Sequence, residues 1–391
     1  MRFAHLSDSH LGYRQYGLMD REDDFYKVFN KTIDKIIESD VDFVIHSGDL
    51  FENPRPTPRA LFEFQNSFLR LKEENIPVYA IAGNHDTVLR RGSLPPQMLF
   101  RKLGLNLLSK NNSSLKVGDV LICGIPFIPK TQNRVLLDFY KKFENEAENA
   151  EKSILVSHQG IDKYLSIGES FELKIGDLPT NFNYYAMGHI HNYINDPFGK
   201  GRLVYPGSME IWRSDEITDY HANGKGFCIV DLSSEIPEVE RVTVDLPRKF
   251  IRKDIDYAEI MDELKLIRAE IQELDEKPIL ELSIGNGNFN TSDVYELISD
   301  YLNDDALMIR PSYHQKNDGG TGKIHPGSIN PRHMLKQVLD EKYGDEKISD
   351  LSVELLDNLS KNKIEEALIT SDHYYAERYG EEKKQSNLDD Y

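Results

Sequence analysis

Five short polar motifs, each closing an apolar run, limit what this chain can fold into more than any other feature. They are Asp8-Ser9-His10, Gly48-Asp49, Gly83-Asn84-His85-Asp86, Ser157-His158 and Gly188-His189-Ile190-His191. The runs before them, RFAHL, DFVIHS, PVYAIA, SILV and NYYAM, read as β-strands. Amphipathic stretches over 20–39 and 58–75 read as helices between them, the pattern of an α/β domain. At the carboxyl ends of strands in such a domain, side chains remote in sequence meet in one crevice. The crevice then gathers seven metal-binding side chains: Asp8, His10, Asp49, Asn84, His158, His189 and His191. Residues i and i+2 of an extended chain point the same way, so D-x-H and H-x-H each present two donors together.

Imidazole nitrogens with carboxylate and amide oxygens, and no thiolate, suit manganese, iron or zinc. Calcium asks for oxygen alone, and structural zinc favours sulfur. Seven donors exceed what one ion needs, so the expectation is two ions sharing a carboxylate, about 3.5–4 Å apart as in phosphate-cleaving sites. Glycines before Asp49, Asn84 and His189 permit sharp turns that aim these groups inward. His5 and His46 fall inside strands and read as hydrogen-bonded core residues; Asp86 is expected either to orient His85 or to cap the turn after it.

A chain of 391 residues is long enough for two or three domains. Late strands with short connections, LVYPGS and GFCIVDL, make the first domain, 1–245, a two-sheet α/β sandwich flanked by helices. Residues 246–315 read as a small α/β module with an apolar helical stripe at Ile260, Leu264, Ile267 and Ile271. The Gly- and Pro-rich stretch 316–332 reads as a flexible linker, and 333–391 as a C-terminal helical pair with stripes at Leu335, Val338, Leu339 and at Leu351, Leu355, Leu359. No run approaches the roughly 18 apolar residues of a membrane span. With no secretory signal either, the expected location is the cytoplasm. Cys123 and Cys228 lie in apolar runs and are expected as buried thiols.

A net charge of −19 argues against a polycation wrapped around nucleic acid, but not against a local basic groove, because screening acts over about 10 Å. Candidate phosphate contacts are Arg55, Arg59, Arg90, Arg91, Lys130 and Arg134, with the run Arg248, Lys249, Arg252, Lys253. The helix over 58–75 carries more apolar residues than one stripe needs. Leu61 and Phe64, with Met98 and Leu99 of the next segment, are therefore candidates for a contact between two copies.

The ordered set D-x-H, G-D, G-N-H-D, Ser-His and G-H-x-H resembles the calcineurin-like metallophosphoesterase family. Within it, HLSDSHLG, HSGDLF and GNHD, followed by a capping module and tethered helices, are similar to the archaeal double-strand-break repair nucleases of the meiotic-recombination-eleven type and to SbcD. The resemblance implies a metallophosphoesterase sandwich, with 246–315 as a DNA-contacting capping domain. It assigns Asp8, His10, Asp49 and His191 to one ion and Asp49, Asn84, His158 and His189 to the other. His85 becomes the catalytic residue, either a proton donor toward the leaving oxygen or a stabiliser of the developing charge. The resemblance further implies two Mn²⁺ per subunit, 3′-to-5′ exonuclease and single-strand endonuclease activity on DNA ends, and a homodimer. It also implies a coiled-coil ATPase partner of the structural-maintenance-of-chromosomes type, bound through 333–391. One departure stands out: the family often has His after G-D-L-F, where this chain has Glu52. Other readings left open are a phosphoesterase acting on phosphoproteins or small phosphodiesters, and a non-catalytic scaffold.

Overall fold

Alternation along the apolar runs sorts them into two sheets that share one core. A computed structural model describes residues 1–87, 93–165, 171–314, 336, 339, 346–360, 367, 370, 371 and 373–375. The chain divides into two units, Met1–Lys316 and Asn317–Tyr391.

The first sheet contains β1 (Arg2–Leu6), β2 (Phe43–His46), β3 (Val78–Ala80), β4 (Asn106–Leu107), β11 (Gly226–Asp231) and β12 (Glu238–Thr243), in the order β12-β11-β1-β2-β3-β4. The second contains β5 (Ser114–Val117), β6 (Val120–Ile125), β7 (Lys152–His158), β8 (Tyr184–Gly188), β9 (Ile194–Phe198) and β10 (Gly201–Tyr205), in the order β5-β6-β7-β8-β10-β9. β1 to β4 run parallel, as do β6, β7, β8 and β10, so all five motifs leave parallel strands in one of the two sheets. In β1, Phe3 faces the second sheet, against Tyr184 and Ile154, whereas Ala4 and Leu6 face the helical layer. That layer is α1 (Met19–Glu38) and α2 (Pro58–Glu73); α3 (Asn133–Ala147) covers the outer face of the second sheet. α2 starts at Thr57, whose hydroxyl accepts the Ala60 N–H at 3.2 Å, with Pro58 in its first turn.

A short helix α4 (Ile217–Asn223) follows the second sheet. The capping module then pairs β13 (Phe250–Asp256), β14 (Ile279–Gly285) and β15 (Met308–His314) in parallel beneath α5 (Ile260–Gln272) and α6 (Thr291–Leu302). The expected stripe Ile260, Leu264, Ile267, Ile271 is buried in its core. This module belongs to the same unit as the sandwich, and buried charge explains why. Arg21 and Arg248 both donate to Asp24 Oδ2, at 2.7 and 2.9 Å, and the Arg21 guanidinium stacks over Phe250 at 4.9 Å. Phe250 joins Ile211, Ile217 and Ile279 in a small apolar cluster. Arg248 is therefore a buried structural group, not the phosphate contact that its basic run suggested.

Phe64 also differs from expectation. It is buried among Phe29, Phe51, Phe68 and Phe100, so it serves the core of its own chain and cannot contact a second copy. Leu61 and Met98 pack partly against that core; Leu99 is exposed, as is Phe62. Both cysteines are buried and unbridged. In the second unit, Glu346–Ser360 is helical, and Lys336 pairs with Asp350 at 2.7 Å. The expected linker, Leu335 and Val338 lie outside the described residues, as does the side chain of Leu359. Among the described residues no helix is long and apolar enough to cross a membrane.

Arg248→Ala leaves Asp24 and Glu210 to share Arg21 alone, so one buried negative charge at the joint loses its partner, and it should cost about 3 kcal/mol. Urea unfolding checks this: an extrapolated unfolding free energy within about 0.5 kcal/mol of wild type would show that the network does not hold the capping module.

Candidate metal centre

The strand ends deliver the seven donors by continuing their parallel register past the sheet. Asp8 N–H donates to the Gly48 carbonyl at 3.0 Å and His10 N–H to the Asp49 carbonyl at 3.1 Å, so these two loops leave the sheet side by side. Asp8, His10, Asp49 and His189 all adopt positive φ, at 52°, 46°, 52° and 95°. Such conformations cost about 1–3 kcal/mol each and persist only where surrounding bonds enforce them. The glycines divide by cause. Gly48 combines φ +102° with a Cβ that would fall 2.4 Å from His158 Nδ1, whereas Gly83 and Gly188 are needed for space alone: a Cβ there would fall 2.1 Å from Asp49 Oδ1 and 2.2 Å from the Ser47 carbonyl.

The donors form two clusters, Asp8-His10-His191 and Asp49-His158-His189, each with its ligand atoms within 4.8 Å of one another. His10 Nε2 and His191 Nε2 face each other at 3.1 Å. His158 Nε2 lies 3.2 Å from Asp49 Oδ2 and 3.1 Å from Asn84 Oδ1, and His189 Nδ1 lies 2.9 Å from the same Asn84 oxygen. Imidazole nitrogens turned toward one another and toward carboxylates are donors arranged for cations, so the residues fit a pair of metal ions.

Outer partners fix which nitrogen each ring presents. His10 Nδ1 meets Glu52 Oε2 at 2.8 Å, His191 Nδ1 meets Glu216 Oε1 at 2.8 Å, and His158 Nδ1–H donates to the Ser47 carbonyl at 2.8 Å. All three rings therefore offer Nε2 inward. Lys225, itself buried, donates to the other oxygen of Glu216. Among the described residues Asp86 makes no bond to the His85 ring, and the turn after Thr87 lies outside them. Its buried carboxylate accepts the N–H groups of Leu50, Phe51 and Gly83 at 3.2, 2.9 and 2.9 Å, pinning two motif loops together.

Asp8, His10, Asp49 and His158 are buried, while Asn84, His85, His189 and His191 reach a cleft of about 390 Å³. Burial would raise the Asp49 carboxyl, but His158, His10 and His85 hold it well below the usual carboxylate range. His85 shows the mirror effect: burial lowers its pKa, but Glu52 and Asp49 outweigh that and push it up to about 9. His5 and His46 are neutral core groups, lowered to about 3 mainly by burial.

Residues 1–193 match the calcineurin-like phosphoesterase family. Over 302 residues the chain is 40% identical to the DNA double-strand break repair protein Mre11 of Methanococcus maripaludis, an alignment spanning 74% of this chain and 80% of that one. The corresponding protein of Thermoplasma acidophilum is 35% identical over 359 residues, 90% of this chain and 92% of its own. The chain belongs to the Mre11 family. As an Mre11-family member it is a metal-dependent phosphodiester hydrolase. The Mre11 protein of Methanocaldococcus jannaschii is 42% identical over 258 residues, 65% of this chain and 69% of its own.

Among the described residues, the basic side chains singled out in this Mre11-family sequence do not line the cleft. Arg55 is exposed, Arg59 pairs with Asp23 at 2.7 Å, Arg252 with Glu281 at 2.7 Å and Lys253 with Glu270 at 2.9 Å. Arg90 and Arg91 lie outside the described residues. Sequence reasoning missed Trp212 and Glu216, which line the cleft from the loop after β10, and Glu172, which approaches His189 Nε2 at 3.6 Å. The one usable signal was a lone tryptophan in a polar loop following a strand.

In metal-free protein the His85 ring should titrate near 9, and Glu52→Gln should bring it down toward its ordinary 6.5. Because the folded value is raised, the stability it contributes is complete below about 6.5 and is lost as pH rises through about 9. NMR titration of the His85 ring checks this; a midpoint unchanged by Glu52→Gln would contradict it.

Proposed function

We propose that the chain is a manganese-dependent DNA nuclease that holds two ions and processes the ends of broken duplexes. The single observation that carries this reading is the gathering of Asp8, His10 and His191 in one cluster and of Asp49, His158 and His189 in a second, with Asn84 against the second and His85 bordering the same cleft. Asp8, His10, Asp49 and His191 would hold one ion, and Asp49, Asn84, His158 and His189 the other, with Asp49 common to both. Such a pair supplies Lewis-acid polarisation of the phosphoryl group and activates water. The names borne by the Mre11 relatives support DNA as substrate. The motif resemblance supports 3′-to-5′ double-strand exonuclease and single-strand endonuclease activity.

His85 is the residue whose part follows most directly from geometry. Its Nδ1–H donates to the Glu52 carbonyl at 3.0 Å, and its backbone N–H donates to Asp49 Oδ1 at 2.8 Å. With Nδ1 committed, Nε2 is the nitrogen free to hand a proton to the departing oxygen. In the metal-free protein the neighbouring carboxylates Glu52 and Asp49 raise its pKa above the ordinary imidazole value.

Arg55, Arg59, Arg252 and Lys253 remain our candidates for phosphate contact. Exposed ion pairs contribute only about 0–1 kcal/mol, so a phosphate can displace their carboxylate partners. The capping module 246–315 would carry DNA contacts, and the helices of 333–391 would bind a coiled-coil ATPase. The separate C-terminal unit supports the latter, since its helix exposes Leu356. Exposed Phe62 and Leu99 support a homodimer. Two buried, unbridged thiols support a cytoplasmic location.

The test is digestion of end-labelled duplex DNA with Mn²⁺, run beside a phosphoprotein and an aryl phosphodiester. Chelator-sensitive release of nucleotides from DNA is expected; hydrolysis of the phosphoprotein alone would overturn the reading. His85→Gln should bind two Mn²⁺ but lose about 10²- to 10⁴-fold in kcat. Asp49→Ala should lose both ions and activity together, and calorimetric titration showing two ions bound would refute its shared role.

A further inference from the structure

Glu52, the one departure from the family's motif, touches both the ligand candidate His10 and the proton-donor candidate His85. Its Oε2 accepts from His10 Nδ1 at 2.8 Å and from Trp212 Nε1 at 3.1 Å. Its Oε1 lies 3.6 Å from His85 Nδ1, and its backbone carbonyl takes the His85 Nδ1–H at 3.0 Å. The three rings also pack on one another: His10 against His85 at 4.8 Å, His10 against Trp212 at 5.5 Å and His85 against Trp212 at 5.7 Å between centroids. Trp212 is itself held, by Tyr13 stacked at 5.4 Å and by Gln15 Nε2 donating to its carbonyl at 2.8 Å.

We propose that Glu52, locked by Trp212, is a positioning residue that holds the metal ligand His10 and the proton donor His85 in one fixed relation. The proposal rests on the two-metal reading above. A carboxylate behind Nδ1 fixes both the tautomer and the plane of a ligating imidazole, and losing such a partner typically weakens metal binding about 10- to 100-fold. The indole N–H ends on the same oxygen as His10 Nδ1, which keeps the carboxylate from swinging out toward the cleft. Because one residue contacts His10 through its side chain and His85 through its main chain, a shift of the loop moves both rings together. In the other cage His158 is backed by a backbone carbonyl, and His189 only by the more distant Glu172, 3.6 Å from Nε2. The consequence of losing Glu52 should therefore fall on one ion of the two.

The test follows Mn²⁺ binding to the full chain by calorimetry, with emission of Trp212, the single tryptophan, as a reporter beside the His10–His191 cage. Wild type should bind two ions and show quenched emission. Glu52→Ala should lose about 10- to 100-fold in affinity for one ion and keep the other, with kcat still depressed when Mn²⁺ saturates and KM little changed. Glu52→Gln keeps an oxygen for both N–H donors and should recover most of the lost affinity. Trp212→Phe should weaken the same ion a few-fold. If Glu52→Ala binds both ions as wild type does, the positioning role is overturned while the two-metal reading stands. If it loses both ions equally and melts early, Glu52 is merely structural and the proposal also fails. If wild type binds no Mn²⁺, the two-metal reading falls first and takes the proposal with it.

Discussion

Keeping the Asp49 carboxylate ionised in a buried position is the demand around which the rest of the centre is arranged. An isolated buried charge is costly, and a carboxylate left alone there would take up a proton instead. Three histidines from three different strand ends supply the compensating field, and the backbone N–H of His85 supplies a hydrogen bond. The two-sheet architecture makes this possible because parallel strands of both sheets end along one edge. β1, β2 and β3 bring Asp8, His10, Asp49 and Asn84 there, and β7 and β8 bring His158, His189 and His191.

Compensation in turn requires that every ring stay where it is. Four of the donors sit at positive φ, so the loops are not in relaxed conformations and need cross-ties. The structure supplies them as buried polar bonds between loops. Asp86 joins residues 50 and 51 to Gly83, Asp8 receives the His189 N–H at 3.1 Å, and Glu216 links His191 to Lys225. The loop bearing Trp212 and Glu216 is anchored through Arg21, which donates to the Ile211 carbonyl and also meets Asp24 at the joint with the capping module. Buried polar contacts and the backbone of this loop thus connect the capping module to the imidazoles.

The motif residues were legible because donor chemistry on this chain is concentrated where apolar runs stop, and strand periodicity tells which donors share a side. The α5 stripe was legible for the same reason, its period matching a helix with one buried face. Glu52 and Trp212 show what was not. They are 160 positions apart, and only the folded loops put the indole N–H on the carboxylate. Phe64 was misread because α2 is covered both by the sheet and by the segment Pro96–Leu103, so its apolar face is wider than one stripe. Arg248 looked like part of a basic surface run, yet its guanidinium turns inward to Asp24. Charge in sequence does not reveal which way a side chain points.

The central claim is that seven side chains form two adjoining cages with Asp49 between them. Anomalous diffraction at the manganese edge from crystals grown with Mn²⁺ tests it most directly. The account predicts two peaks about 3.5–4 Å apart, with an Asp49 oxygen bonded to both and His85 bonded to neither. A single peak, or a pair in which His85 replaces one of the seven, would contradict it.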